Sequence, residues 1–424
     1  MLFAGPLASS SMRLKIDILS AGIALALALE ARGDLLDRIN DALSIRNSQN
    51  QFQLQLSGLM DFEGYFIDQR APGLILTDDE FLFNPRLSLF LDAQWTTHFY
   101  FFGQLRVDRG FDPSDKGAQV RLDEYFFRYT PLDHPGIALQ VGKFATVVGN
   151  WTSRHYSWDN PFINAPLPYE NVTGIWDSAA PDKVDTLLRW AHVGEYNTAD
   201  YSDKYNRLPI IWGPNYGSGF AVLGTIEKFD YAVELKNSAL ASRPESWDLT
   251  NVGFENPTLS ARVGFRPNEM WNFGFSASAG PYLVSQAAAT LPRGRDIDDY
   301  RELLLGQDVS FAWHHWQIWA EFYETRFQVP RVGNADTFAY YLEAKYKFTP
   351  QLFGAVRWNQ QVFGSVRDEE EAVQWGNDTW RVDAAVGYRF TNYLQGKVQY
   401  SFTHEDAKVQ VGEQLVAAQL TIKF

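Results

Sequence analysis

The sequence predicts an all-β chain closed into a transmembrane antiparallel β-barrel of sixteen strands, and three observations carry that prediction. Two-residue alternation recurs along most of the chain, apolar on one face and polar on the other. Aromatic residues make up 15% of the chain, whereas the hydrophobic fraction of 46% and the mean hydropathy of -0.27 are unremarkable. That combination suits strands that show lipid only every second side chain and carry aromatic girdles at both interfaces. Beyond the N-terminus no segment approaches the ~18 to 20 apolar residues that a spanning helix requires.

Taken in order, the elements begin with a leader. Arg13 and Lys15 precede an apolar run from Ile18 to Leu29 that ends in Ala26-Leu27-Ala28, the pattern of a secretory signal over residues 1–28, with Met12 an alternative start. Residues 29–50 form a short periplasmic segment, in which Leu35, Leu36, Ile39 and Leu43 share a helical face; a mobile leader is the other reading. The barrel spans 51–424 and starts with a strand near Gln51 to Leu59. Tight connectors follow at Thr96 to His98, Pro131 to Gly136, Lys228 to Asp230, Pro267 to Glu269, His314-His315, Thr349 to Gln351 and Thr391-Asn392. Seven hairpins with the first and last strands give sixteen, an even count with both ends on the periplasmic side. The longer Gly-, Pro-, Asp- and Asn-rich segments, such as Ser238 to Asn256 and Gly364 to Asp378, are expected as extracellular loops.

One stretch, about 147–217, breaks the rhythm with many aromatics and prolines, whose ordering must be offset by burial. It is expected to fold into the lumen as a constriction that carries Trp151, Arg154, His155, Trp158, Asp159, Asn160, Tyr169, Glu170, Trp176 and Asp177. Flat aromatics beside carboxylates and amides can stack on a sugar and bind its hydroxyls; alternatively the tryptophans anchor the loop to the wall. Val184 to Val193 and Arg207 to Trp212 could instead add a strand pair, which would make eighteen strands. The polar strand faces place Arg86, Arg106, Arg262, Arg357, Arg381, Asp383 and Arg389 on the lumen wall. Charges of both signs there impose a transverse field, and a slight excess of Arg and Lys predicts weak anion preference or near neutrality.

The closing strand, from Gln414 to the terminal Phe424, resembles those of bacterial outer-membrane proteins, in which such an ending is read by the insertion machinery. The run Leu139-Gln-Val-Gly-Lys-Phe144, just before the inserted stretch, resembles the corresponding strand of outer-membrane porins, including the phosphate-selective family. The resemblance implies a passive channel for small hydrophilic solutes, often a homotrimer, set among outer-membrane lipid and lipopolysaccharide, with Lys143 at the lumen or constriction. The chain departs from the phosphate-selective pattern in its acidity and in lacking a ladder of closely spaced lysines. A substrate-specific uptake or export channel is the alternative, ahead of a barrel hydrolase.

Other functions find little support. Absence of cysteine removes thiolate and Cys-zinc chemistry, and a net charge of -14 opposes nucleic-acid binding. His155 beside Ser157 and Asp159 does not make a triad, because such groups are assembled by the fold. His314-His315 is expected as an interfacial turn, and Asp368 to Glu371 as a solvated loop or a surface gathering point for divalent ions. No cofactor, metal centre or enzymatic activity is expected.

Overall fold

The structure, a computed structural model, describes residues 38, 42–47, 51–68, 73–74, 77, 79–109, 118–191, 206–242, 254, 257–407 and 412–424. The expected signal and most of segment 29–50 lie outside these residues. Sixteen strands form one closed sheet. They are β1 Phe52–Ile67, β2 Phe81–Trp95, β3 Phe99–Asp108, β4 Gln119–Tyr129 and β5 Ala138–Phe144. Next come β6 Gly217–Ile226, β7 Phe229–Lys236, β8 Thr258–Phe265, β9 Trp271–Pro281 and β10 Arg301–Trp313. The circle is completed by β11 Trp316–Val329, β12 Gly333–Lys347, β13 Leu352–Phe363, β14 Thr379–Arg389, β15 Leu394–Glu405 and β16 Gly412–Lys423.

Each strand pairs antiparallel with its neighbour in sequence. Lys423 opposite Leu59 through Leu415 opposite Ile67 closes β16 onto β1. Closure removes the two unpaired edges that an open sheet would expose, which lipid could not satisfy. The short strand Ser44–Arg46 pairs with the start of β1. A small hairpin, Ser365–Asp368 with Glu371–Gln374, stands at the end of β13.

All seven tight connectors fall between strands at one end of the barrel, and β1 runs on to Ile67, beyond the expected Leu59. Outside that end, aromatic rings meet around the rim: Trp95 with Phe99 at 5.8 Å, Phe229 with Phe265 at 4.9 Å and Trp316 with Tyr346 at 4.7 Å. Phe424 belongs to this girdle. Its ring lies over Gly58, where a Cβ would come within 2.4 Å of it, so the last side chain covers the one position of β1 that leaves it room.

The extra strand pair does not form. Residues Val184–Ala191 are helix α1 instead, because Val184, Leu187, Leu188 and Ala191 follow helical spacing and the chain packs that stripe into the core. Arg207 forms only an isolated bridge to Trp176.

Candidate functional site

The chain leaves the wall at the end of β5 and returns at β6, and the described residues between them, 145–191 and 206–216, lie inside the barrel. Their apolar side chains Val148, Tyr169, Ile175, Leu208 and Ile210 are fully buried with the inward faces Leu304, Tyr323, Phe327, Ala339 and Tyr341. The largest hydrophobic cluster among the described residues therefore occupies part of the lumen. Burial on this scale offsets the entropy of ordering a loop so long.

Polar groups of the wall fasten the loop's backbone. The Glu321 carboxylate of β11 accepts the N–H groups of Asn150 and Trp151 and, at 2.6 Å, the Tyr169 hydroxyl. Gly149 makes this approach feasible: it sits at φ +75°, and a Cβ there would lie 2.1 Å from the Tyr323 hydroxyl. On β15, the Lys397 ammonium donates to the carbonyls of Ser157, Asn160 and Phe162 at 2.7, 2.9 and 3.1 Å. A carboxylate thus gathers N–H groups and an ammonium gathers carbonyls, so both halves of the loop backbone are satisfied away from water.

Between these two anchors runs a chain of alternating charges, Arg154, Glu343, Arg357, Asp383, Arg381 and Glu170. Arg154 meets Glu343 at 2.6 Å and also faces the Trp319 ring at 4.2 Å. Arg357 bonds Asp383 at 2.8 Å and donates to Asn164 and Ala165 of the loop. Arg381 pairs with Asp383 at 3.1 Å and with Glu170, and donates to the Ala165 carbonyl. Three cations and three anions cancel, which is what allows them to be buried together.

The seven wall residues expected from alternation all project inward, but they divide into two groups. Arg357, Arg381 and Asp383 are sealed under the loop, with side chains 0 to 1% exposed. Arg389 donates to Gln395 and to the Trp158 carbonyl, and Arg262 is held between Asp230 and Asp308 at 2.7 and 2.8 Å. Arg86 and Arg106, on β2 and β3, keep side-chain exposures of 18% and 22%. Arg121 of β4, opposite Arg106, joins them at 16%. Asp61, Glu63, Asp108 and Asp123 support the three guanidinium groups from more buried positions.

Within the loop, Trp151 packs on Tyr169 at 4.5 Å, and Trp176 stacks on Trp190 at 4.3 Å. Trp158 lies between Arg389 and Lys423, at 5.1 and 5.5 Å. All three tryptophans have protein partners on their faces, Trp151 and Trp176 within the loop itself and Trp158 at the wall. Asn160 accepts from Phe162, Asp177 is buried with its carbonyl accepting from Val284, and Asp159 is exposed.

Lys143 is placed differently from its expected position. It falls on the alternation of Leu139 and Val141, which face outward, and its ammonium donates to the Leu122 carbonyl at 3.2 Å. The fixed period of two sends neighbouring side chains to opposite faces, and here Gln140 and Phe144 take the inner one. Lys143 and Arg154, expected at the constriction, therefore do not form a pair of water-facing charges.

His155 stands near Arg106 and Arg86. Its Nδ1 donates to the Thr152 carbonyl and its Nε2 accepts from the Tyr216 hydroxyl at 2.7 Å. Burial pushes this imidazole down to about 4, with the positive fields of Arg106 and Arg86 adding to it against the Thr152 hydrogen bond. The docked loop thus refuses a proton that a released loop accepts between about 4 and 6.5. Docking has its full strength above about 6.5 and weakens as pH falls through that window, by up to about 3 kcal/mol. Acidification from pH 7 to 4.5 should loosen the docked loop and speed limited proteolysis within residues 145–191. His155→Gln should show a smaller pH dependence in the same digestion assay.

Comparison with known proteins adds the fold. No protein-family model and no curated sequence matches the chain. Among solved structures, OmpF of Salmonella typhi, in complex with daunomycin, is 12% identical with a TM-score of 0.54, over 90% of this chain and 100% of that one. The anion-selective porin of Comamonas acidovorans gives 9% and 0.53 over 88% and 100%. The outer-membrane channel DcaP of Acinetobacter baumannii gives 11% and 0.53 over 90% and 99%. The fold is that of outer-membrane porins.

Sequence reasoning overlooked Arg121 and Glu343. Arg121 is obscured by the register shift next to Leu122, which breaks the alternation of β4. Glu343 is visible only once Tyr341, Glu343 and Lys345 are read as one inward row of β12.

Proposed function

We propose that the chain is an outer-membrane channel for passive diffusion of small hydrophilic solutes, narrowed by residues 145–191 and 206–216, with its tight turns toward the periplasm. The observation that carries this reading is the unequal exposure of the inward arginines. Arg357 of β13 and Arg381 of β14 are sealed under the loop, whereas Arg86, Arg106 and Arg121 on β2 to β4 retain contact with water. Solutes therefore pass along β2 to β4, opposite the anchored part of the loop.

Weak anion preference follows from two features. The guanidinium groups on this side reach farther toward water than the carboxylates that hold them. Near the tight-turn end, Arg389 and Lys423 flank the Trp158 ring, and neither forms an ion pair with a carboxylate among the described residues. Ions respond chiefly to charges within about a Debye length, roughly 10 Å at moderate salt, so these groups outweigh acidic loops at the far rim. Arg106→Gln combined with Arg121→Gln should move the reversal potential in a salt gradient toward cation preference. Strong cation selectivity of the native channel, or no shift in the double variant, would place permeation elsewhere.

A further inference from the structure

On the open side of the lumen the inner wall changes character toward the tight turns. Arg86 of β2 and Arg106 of β3 face inward, and the period of two puts Phe90 and Asp92 on the first strand, and Tyr100 and Phe102 on the second, on that same inner face. At ~3.3 Å per residue and a strand tilt near 40°, Phe90 and Phe102 lie about 10 Å from those arginines. These two rings and those of Tyr156 and Trp158 in the loop are only half-buried. Rings open to the lumen depart from the polar interior that a water-filled barrel requires.

The four rings border one cavity of about 220 Å³, and charges of both signs meet in it. Asp92 accepts the Tyr100 hydroxyl and forms no ion pair among the described residues, while Asp159 is exposed at the cavity edge. Lys423 of β16 is exposed there too, with its ammonium 5.5 Å from the centre of the Trp158 ring. Phe90 and Tyr156 meet at 5.1 Å and 79°, so their rings make a corner and not a platform. Such a corner receives a flat ring edge to face. A sugar would need an open ring face, and Trp158 already carries Arg389 and Lys423.

We propose that this cavity binds a small zwitterion with an aromatic body, an amino acid of the phenylalanine class. Its ring enters the corner formed by Phe90, Phe102 and Tyr156. Its ammonium meets Asp92, with Asp159 on the same cavity wall, and its carboxylate meets Lys423, so that both signs in the cavity gain an opposite charge. A singly charged ligand answers one sign and faces repulsion from the other, and a neutral ligand answers neither. The proposal rests on the channel reading for the route by which the solute arrives. Binding itself requires no current.

Phenylalanine, phenethylamine and 3-phenylpropionate share a ring and differ in charge, so together they test each contact. Titrated calorimetrically into the full chain in lipid nanodiscs, phenylalanine should bind at least about tenfold more tightly than either analogue, the ratio that one hydrogen bond to a charged group supplies. Asp92→Asn and Phe102→Ala should each weaken phenylalanine by a similar factor. Lys423→Gln should abolish the preference for phenylalanine over phenethylamine, a change that general loosening of the cavity would not produce. Retained β-sheet circular dichroism shows that a variant is folded, and three test positions guard against one failing to fold. No binding of phenylalanine, equal binding of the three probes, tighter binding of a singly charged analogue, or affinity unchanged by both Asp92→Asn and Phe102→Ala would overturn the proposal. Conductance in potassium chloride is recorded on the same protein. A conducting channel that ignores phenylalanine overturns this proposal alone, whereas a protein that binds it as expected and conducts no current supports the site and overturns the channel reading.

Discussion

Removal of residues 151–177 is expected to raise single-channel conductance severalfold. The segment carries Trp151, the Arg154 ion pair, the carbonyls bound by Lys397 and the Glu170 end of the charge chain. It contributes none of the sixteen strands, so the ladder that closes the barrel is untouched. The wall groups it covers, Glu321, Glu343, Arg357, Arg381 and Lys397, would pass from protein partners to water, which solvates ions well. The lumen opposite β2 to β4 would widen. Planar-bilayer recording with matched insertion would check this, and an unchanged step size in a folded variant would show that current does not pass the loop.

The second large effect is expected from Arg381→Met. Loss of the guanidinium leaves Glu170 without the cation that binds it, and leaves the Ala165 carbonyl and Asp383 with Arg357 as their one remaining cation. Removing one partner of a buried ion pair costs roughly 3 to 5 kcal/mol. Here that cost falls on loop docking, since the strand hydrogen bonds persist. The variant should show frequent steps to higher conductance and faster proteolysis within 145–216, while thermal unfolding of the barrel changes little. Adding Glu170→Gln removes the orphaned charge and should restore much of the quiet state. A barrel that melts early with its loop still protected would assign Arg381 to the wall rather than to the latch.

Both expectations concern contacts between residues far apart in sequence, and this distinguishes what could be read from the chain alone. Alternation in segments such as Trp380 to Phe390 and Leu394 to Thr403 reports a local requirement, since successive side chains of a strand meet different solvents. Tight turns report another, because hairpins need compact connectors. These signals gave the strand count, the inner and outer faces and the position of the inward loop. Where the local rule is broken, inference failed with it. The register shift beside Leu122 hid Arg121, and helical spacing in a weakly alternating piece concealed α1.

The sequence by itself determined a closed, even-stranded barrel, the wall arginines and the stretch that turns inward, because each follows from a period, a turn or a composition carried by neighbouring residues. Only the tertiary structure decided which charges see water. Arg86 and Arg381 read alike in their strands, as basic residues on polar faces. One is left 18% exposed beside Asp61, while the other is sealed by Glu170, more than two hundred positions away. The physical reason is that solvation of a charge depends on what folds over it. In a barrel that cover comes from across the lumen, where sequence distance carries no information.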